Sequence, residues 1–110
     1  MSEQLGAIYS ATEYIEECLQ EEITVADIAA AAGYSLYHFI RVFNQTVLHT
    51  PYNYLIRRRL SQAALALVQT KRRIIDIAVD YCFNSPEVFS RAFLRMFGEQ
   101  PSKYRSIGQA

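Results

Sequence analysis

The chain has 110 residues, 51% of them apolar, which suffices for one compact domain or two very small ones. It has no apolar run of about 18 residues and no basic-then-apolar N-terminal segment, so we expect neither a membrane span nor a secretory signal. The cysteines Cys18 and Cys82 are far apart and show no CxxC spacing, which is typical of reduced cytoplasmic thiols.

The net charge is zero, but the charges are unevenly distributed along the chain. Residues 1–32 carry seven acidic side chains and no Lys or Arg, whereas residues 33–110 carry all eleven basic residues and four acidic ones, an excess of 11 − 4 = +7. Such asymmetry points to an electrostatic partner. Charge alone does not distinguish that partner from an ordinary solvated surface, so both interpretations stay open at this point.

The hydrophobic pattern predicts helices and no strands. In the first segment an apolar stripe recurs at steps of three and four residues, at Leu5, Ile8, Thr12, Ile15 and Leu19. Thr24 and Asp27 have the spacing of a capping box, Gly33 suits a left-handed helix end, and Ser35 can begin the next helix.

Three prolines mark further helix starts. Thr50-Pro51 and Ser85-Pro86 place a hydroxyl before a proline at the first helical position, and Gln100-Pro101 is a weaker version of the same signal. The sequence therefore predicts an all-α fold of about seven helices. Their expected positions are near 4–20, 25–32, 36–48, 51–69, 74–81, 86–97 and 102–106.

The chain resembles itself at a spacing of about fifty residues. The matching pairs are Ile28-Ala29 with Ile77-Ala78, Gly33-Tyr34 with Cys82-Phe83, Phe39 with Phe89, Arg41 with Arg91, Phe43 with Phe93, Pro51 with Pro101 and Tyr54 with Tyr104. The offset changes from 49 to 50 at one place only, where a turn is predicted. An ordered set with a single gap indicates an internal duplication.

Each copy predicts a helix, a tight turn and a second helix. On each second helix two phenylalanines lie four residues apart on one face, and we interpret them as core: Phe39, Phe43, Phe89 and Phe93. This is the pattern of a helix-turn-helix unit, in which the second helix lies in the major groove of DNA. Functional residues are then expected on the outward faces.

Arg41 and Arg91 occupy equivalent outward positions on these two helices. Because Arg reads guanine through paired hydrogen bonds to O6 and N7, we expect both to contact bases, with a surface ion pair or coverage of apolar surface as the alternative. Ile40 and Val88 are apolar residues on the same faces. They suit a thymine methyl, although packing between helices would explain them equally well.

Pro51 to Gln69 predicts one helix that is about 28 Å long at 1.5 Å per residue. Successive major grooves on one face of DNA lie about 34 Å apart, so one chain could span two grooves and read an asymmetric site of about 20 base pairs. The interpretation divides the chain into a first helix-turn-helix subdomain at 1–50, a linker helix at 51–70 and a second subdomain at 71–110.

Basic clusters lie at 57–59, at 71–73 and at Lys103 and Arg105. Three consecutive arginines cannot all face DNA, because a helix turns about 100° per residue, so we expect one or two to reach phosphate. Helix N-termini at Ser35 and Ser85 also favour phosphate. The expected contacts to the DNA backbone are Ser35, His38, Arg57, Ser85, Ser90, Arg95 and Lys103.

These residues together resemble the DNA-binding domain of the AraC/XylS family of bacterial regulators. The resemblance covers nearly the whole chain and rests on Asp27-Ile28-Ala29, Gly33-Tyr34-Ser35, Phe39-x-Arg41-x-Phe43, Pro51-x-x-Tyr54-Leu55, Arg58-x-Leu60, Ile77-Ala78, Phe83-Asn84-Ser85, Phe89-Ser90-Arg91-x-Phe93 and Phe97-Gly98-x-x-Pro101-x-x-Tyr104-Arg105.

The resemblance implies a two-lobed helical module that binds DNA as a monomer, usually as a transcription activator. It carries the groove-contacting role to Tyr37, Ile40, Arg41, Glu87, Val88 and Arg91. A module that starts almost at the first residue is similar to the MarA, SoxS and Rob branch. The chain is then expected either to act alone or to be one domain of a longer regulator.

Three residues depart from the family pattern. Leu48 and Cys82 stand where the family often has glycine, and a positive φ at Cys82 would be strained by about 1 kcal/mol. These two residues put the local turn geometry in question. Ile40 replaces a commonly polar reader, which leaves the recognised base sequence open.

Two other function classes compete with a DNA-binding regulator. A helical module could dock on a protein through its acidic N-terminal face, and a transcription activator could do so on RNA polymerase while also binding DNA. An enzyme is disfavoured, because His38 and His49 lack a nucleophile or acid partner at a useful spacing and no phosphate loop or metal-ligand set is present. We expect no cofactor, no metal and a location in the bacterial cytoplasm, associated with the nucleoid.

Overall fold

The computed structural model describes residues 2–109, and over those residues it contains seven α-helices and no strand. The helices are α1 (Ser2–Glu17), α2 (Val25–Ala31), α3 (Leu36–Val47), α4 (Pro51–Gln69), α5 (Ile74–Asp80), α6 (Pro86–Phe97) and α7 (Pro101–Gly108). The prediction of an all-α fold with seven helices is confirmed. The largest differences from the predicted bounds are at α1, which ends three residues before the predicted position 20, and at α7, which extends two residues beyond 106.

The chain forms two compact units, Met1–Ile56 and Arg57–Ala110. In the first unit α1, α2 and α3 pack on one another, and in the second unit α6 packs on both α5 and α7. The boundary between the units falls within the sequence of α4, whose 19 residues form one uninterrupted helix.

Aromatic side chains form the centre of each unit and repeat the same geometry. In the first unit the rings of Phe39 and Phe43 are 5.4 Å apart and tilted by 49°, and in the second those of Phe89 and Phe93 are 5.6 Å apart and tilted by 51°. A tyrosine then meets the second ring edge-on, Tyr54 against Phe43 and Tyr104 against Phe93. All four phenylalanines are fully buried. The internal repeat of the sequence is therefore a repeat of core packing.

The buried face of α1 differs in part from the predicted stripe. Ile8, Ile15 and Leu19 are buried as expected, but Leu5 is 54% exposed, whereas the small residues Ala7 and Ala11 are buried. Small side chains let the backbone of α1 approach α2 and α3 closely. The pattern of large apolar residues could not reveal this, because alanine is also an ordinary surface residue in helices.

Helices α2 and α5 end in the same type of turn, a Schellman motif. The N–H groups of Gly33 and Tyr34 donate to the carbonyls of Ala30 and Ala29, each at 3.0 Å. In the second unit Cys82 and Phe83 donate in the same way to Val79 and Ala78, again at 3.0 Å.

This turn requires a left-handed residue, which is Gly33 (φ 78°) in one unit and Cys82 (φ 69°) in the other. The turn geometry that the sequence left in question at Cys82 is therefore the left-handed one, despite the side chain. Leu48 is also left-handed (φ 65°) and ends α3. The turns thus keep a conformation that glycine adopts without strain, although two of their residues carry side chains.

The C-terminal segment of the second unit caps the end of α4. The Arg105 Nε group donates to the carbonyl of Leu67 at 2.8 Å, and the Gln109 amide donates to the carbonyls of Leu67 and Thr70, each at 2.9 Å. These carbonyls lie in or just after the last turn of α4, where no intrahelical partner is available.

Over residues 2–109, none of the helices combines the length and apolarity needed to cross a bilayer.

Candidate nucleic-acid interface

Helix α3 separates a buried face from an exposed one. Phe39, Val42 and Phe43 are buried, and on the other side Tyr37 is 74% exposed and Arg41 is also exposed. Ile40 lies beside this outward face and is half-buried. The predicted base-contacting residues of the first unit are therefore brought to one side of α3, with Tyr37 and Arg41 the most accessible of them.

Two pairs of side chains four residues apart order the start of α3. The Arg41 guanidinium carbon lies 6.0 Å from the centre of the Tyr37 ring, within the range of a cation–π contact. The rings of Tyr34 and His38 are stacked, with centres 4.6 Å apart and planes within 5°. Each basic side chain at this end of α3 thus lies against an aromatic ring. Neither contact was predicted from the sequence, in which the spacing of four residues is the only signal for such pairs.

Helix α6 has the same organisation. Phe89 and Phe93 are buried, whereas Val88 (44% exposed), Glu87 and Arg91 face outward. Val88 is partly accessible but more than half covered, so contact with a thymine methyl and packing between helices both remain open for it. Glu87 belongs to the first turn of α6, where a carboxylate is favoured by the helix dipole whether or not it also contacts a base.

The N-terminus of each of these helices is capped by serine. Ser35 Oγ accepts a hydrogen bond from the backbone N–H of His38 at 3.4 Å, and Ser85 Oγ accepts from that of Val88 at 3.1 Å. Because each hydroxyl accepts through its oxygen, its own hydrogen can still be donated to a phosphate. The positive end of the helix dipole favours an anion at the same place.

The three consecutive arginines of α4 differ sharply in exposure. Arg57 is exposed, Arg58 is half-buried, and Arg59 is only 6% exposed. The expectation that they cannot all face DNA agrees with this gradient. Arg57 is the one of the three that is best placed to reach a phosphate. On the second unit, Arg95 and Lys103 are exposed and Ser90 is half-buried.

The cluster at 71–73 is partly neutralised within its own unit. Arg73 Nε donates to Asp76 at 3.1 Å, and Arg72 forms an ion pair with Asp80. The hydrogen bond from Arg73 lowers the pKa of Asp76, and the carboxylate partners raise the pKa of both arginines. Each guanidinium stays charged, but the carboxylate beside it reduces the net positive charge that this cluster presents to a polyanion.

Arg105 makes a structural contact that was not predicted from the sequence. Its position after α6 had grouped it with Lys103 as a basic cluster, but it is half-buried and its Nε group donates to Leu67. Lys103 is exposed instead. Of these two basic residues, only Lys103 projects freely enough to meet a phosphate.

All seven acidic residues of the first unit are exposed. They are Glu3, Glu13, Glu16, Glu17, Glu21, Glu22 and Asp27. In the part of the chain that the structure describes, no group of three or more His, Cys, Asp or Glu side chains is placed to hold a metal ion.

A family model described as a helix-turn-helix domain matches residues 28–107. The chain is 39% identical over 103 residues to the right origin-binding protein of Escherichia coli (strain K12). The matched segment covers 94% of this chain and 36% of that relative. It is also 37% identical over 98 residues to the regulatory protein SoxS of Salmonella typhimurium, and that match covers 89% of this chain and 92% of the relative. The chain thus spans about a third of the length of the first of these relatives.

Solved structures share the fold over nearly the whole chain. An AraC-type transcriptional regulator from Chromobacterium violaceum matches with a TM-score of 0.90 and 26% identity, covering 98% of this chain and 96% of that one. The DNA-binding domain of AdpA, solved in complex with a target DNA, matches with a TM-score of 0.86 and 28% identity, covering 92% of this chain and 91% of that one.

Proposed function

The chain belongs to the AraC/XylS-type family of helix-turn-helix transcriptional regulators, which are DNA-binding proteins and not enzymes, and we propose that it reads an asymmetric duplex site by placing α3 and α6 in successive major grooves. The observation that carries this proposal is the duplicated pair of helices, each with two buried phenylalanines on one face and an exposed arginine on the other. At 1.5 Å per residue, the 19 residues of α4 span about 28 Å, comparable to the groove repeat of about 34 Å.

Base reading is assigned to the outward faces of both helices. Arg41 and Arg91 would each hydrogen-bond a guanine, and Ile40 and Val88 would contact a thymine methyl. Tyr37 and Glu87 complete the two sets; Glu87 can accept from a cytosine amino group. The site would extend over about 20 base pairs, because each helix reads one half and the halves lie one helical turn apart.

Contacts to the phosphates would orient the two units on the duplex. The residues proposed for this role are Ser35, His38, Arg57, Ser85, Ser90, Arg95 and Lys103. The two serines supply hydroxyls at helix N-termini, and the exposed basic side chains supply charge. We keep the functional division into subdomains at 1–50 and 71–110 with the linker helix at 51–70.

The wider biological setting is also a proposal. We propose that the chain acts in the bacterial cytoplasm on the nucleoid, binds DNA as a monomer because it carries both recognition helices itself, and serves as an activator that contacts RNA polymerase. Relatives named as a regulatory protein and as an origin-binding protein support a role on DNA.

A second function, which can coexist with the first, is docking on a protein through α1. The observation in its favour is that Leu5 (54% exposed) and Tyr9 (66% exposed) lie one helical turn apart among exposed glutamates. An apolar strip within an acidic surface suits a basic protein partner.

The primary test is selection of duplexes from a random pool, followed by titration of the selected duplex and of an unrelated one at several salt concentrations. We expect preference for one asymmetric sequence and an affinity that falls steeply with salt, because neutralised phosphates release counterions. Absence of both preference and salt slope would refute DNA reading and leave docking on a protein as the function.

A further inference from the structure

Tyr34 lies outside every set of residues proposed to touch DNA, yet its ring is stacked on one of them. Its centre is 4.6 Å from that of the His38 imidazole and the planes are within 5° of parallel. Two aromatic rings in this arrangement restrict each other's side-chain rotation. His38 is exposed on α3, so surrounding core residues do not fix its side chain. Its stack on Tyr34 is therefore the contact that restricts the rotation of the imidazole.

The backbone on both sides of the stack is also fixed. Tyr34 donates its N–H to Ala29 in the turn that ends α2, and His38 donates its N–H to the Ser35 hydroxyl that begins α3. The two rings therefore project from anchored positions four residues apart. The imidazole is held at the N-terminal end of α3, where the helix dipole favours an anion.

The aromatic residue of the second unit that corresponds to Tyr34 packs differently. Phe83 occupies the equivalent place in the turn after α5, but it is buried (7% exposed) and meets the core residue Phe89 edge-on at 5.1 Å. Tyr34 is half-buried and lies flat on a surface residue. The same turn therefore allows an aromatic ring to lie in the core, as Phe83 does, and does not by itself place the Tyr34 ring on His38. The stacked arrangement is a feature of the first unit, where His38 is present.

We propose that Tyr34 is a positioning residue for DNA binding, whose ring holds the His38 imidazole in the orientation that donates to a phosphate at the first half of the site. The nitrogens of an imidazole hydrogen-bond in the plane of its ring, so a partner that covers only the ring face leaves them accessible. Pre-ordering the side chain removes part of the entropy lost on binding. This inference rests on the proposed function, since it needs DNA as the ligand.

The test is a double-mutant cycle with duplex affinity as its readout. Tyr34→Leu should weaken binding to the selected duplex by about 3–10-fold, as expected when one ordered side chain becomes mobile. Tyr34→Phe should stay within about twofold of the parent, because the stack needs only the ring. In a His38→Ala background, Tyr34→Leu should have no further effect. Equal weakening in both backgrounds, or none in the parent, would overturn the proposal.

Two further measurements separate positioning from folding. His38→Phe keeps a ring to stack but removes the nitrogens, so it should bind as weakly as His38→Ala while unfolding at the parent's temperature. In NMR spectra the His38 ring C–H signals should lie upfield in the parent, from the ring current of Tyr34, and move downfield in Tyr34→Leu. If the parent protein does not bind duplex DNA, the proposed function is wrong. If it binds DNA but the effects of Tyr34→Leu and His38→Ala on affinity are additive, only the positioning role of Tyr34 is wrong.

Discussion

Leu48 and Gly98 occupy the same left-handed position at the ends of equivalent helices. Leu48 ends α3 with φ 65°, Gly98 ends α6 with φ 78°, and each donates its N–H to the carbonyl four residues earlier. Glycine adopts this conformation without strain, whereas a residue with a Cβ atom is strained by about 1–2 kcal/mol. Leu48 gains little burial in return, since it is 82% exposed.

Replacing Leu48 by glycine should therefore stabilise the protein. Relief of backbone strain exceeds the extra flexibility that glycine gives the unfolded chain, so we expect a gain of about 0.5–1 kcal/mol in the free energy of unfolding. Denaturant titration followed by circular dichroism measures this. The matched control is Gly98→Ala, whose added Cβ atom would meet nothing within 4 Å, so its expected loss of about 1 kcal/mol reports conformation alone. A neutral or destabilising Leu48→Gly would show that the leucine side chain makes a stabilising contact.

Much of the fold could be predicted because its signals are local. The capping box is present with both of its hydrogen bonds, Thr24 N–H to Asp27 at 2.9 Å and Asp27 N–H to the Thr24 hydroxyl at 3.1 Å. Gly33 has the predicted positive φ, and Ser85 caps the helix that Pro86 begins. Such features depend on a few neighbouring residues, so the amino-acid order is sufficient to reveal them.

The features that were missed depend on side chains distant in sequence or on rotamer choice. The burial of Arg59 and the bond from Arg105 to Leu67 follow from packing that no local pattern encodes. The stack of Tyr34 on His38 could be foreseen as a pair at a spacing of four but not as a parallel arrangement. The outward faces of α3 and α6 were predictable, because their buried phenylalanines define the opposite side.

Arg105 and Lys103 should separate stability from DNA affinity. Arg105→Ala removes a partly buried charged donor from the end of α4, so we expect a loss of about 1–2 kcal/mol in the free energy of unfolding. Lys103→Ala should leave stability within about 0.5 kcal/mol and weaken binding to all duplexes, since its side chain is exposed. Thermal unfolding and anisotropy titration measure the two effects. If Lys103→Ala left duplex affinity unchanged, its proposed phosphate contact would be wrong.

The pair formed by Arg73 and Asp76 predicts a loss of stability in acid. Because the pKa of Asp76 is lowered in the folded state, its carboxylate contributes stability above the unfolded value of about 3.9, and this contribution disappears as pH falls through the lower folded value. Asp76→Asn should therefore be less stable than the parent at pH 7, with a smaller difference near pH 3, below the unfolded value. Denaturant titrations at both values measure this. Arg73→Gln should reduce the same pH dependence; if it did not, another group would be responsible for the lowered pKa.

Arg91 and Arg95 lie on the same exposed side of α6 but have different predicted roles. Arg91→Ala should reduce affinity for the selected duplex by about 1–3 kcal/mol and relax the preference at one base pair, with much less effect on an unrelated duplex. Arg41→Ala should do the same at the other half of the site. Arg95→Gln should weaken both duplexes equally and reduce the slope of log Kd against log salt by about 1, as expected for one phosphate contact. The decisive comparison is the effect of Arg91→Ala on the affinity for each of the two duplexes. An equal loss of affinity for both would assign Arg91 to a phosphate contact and rule out its proposed contact with a base.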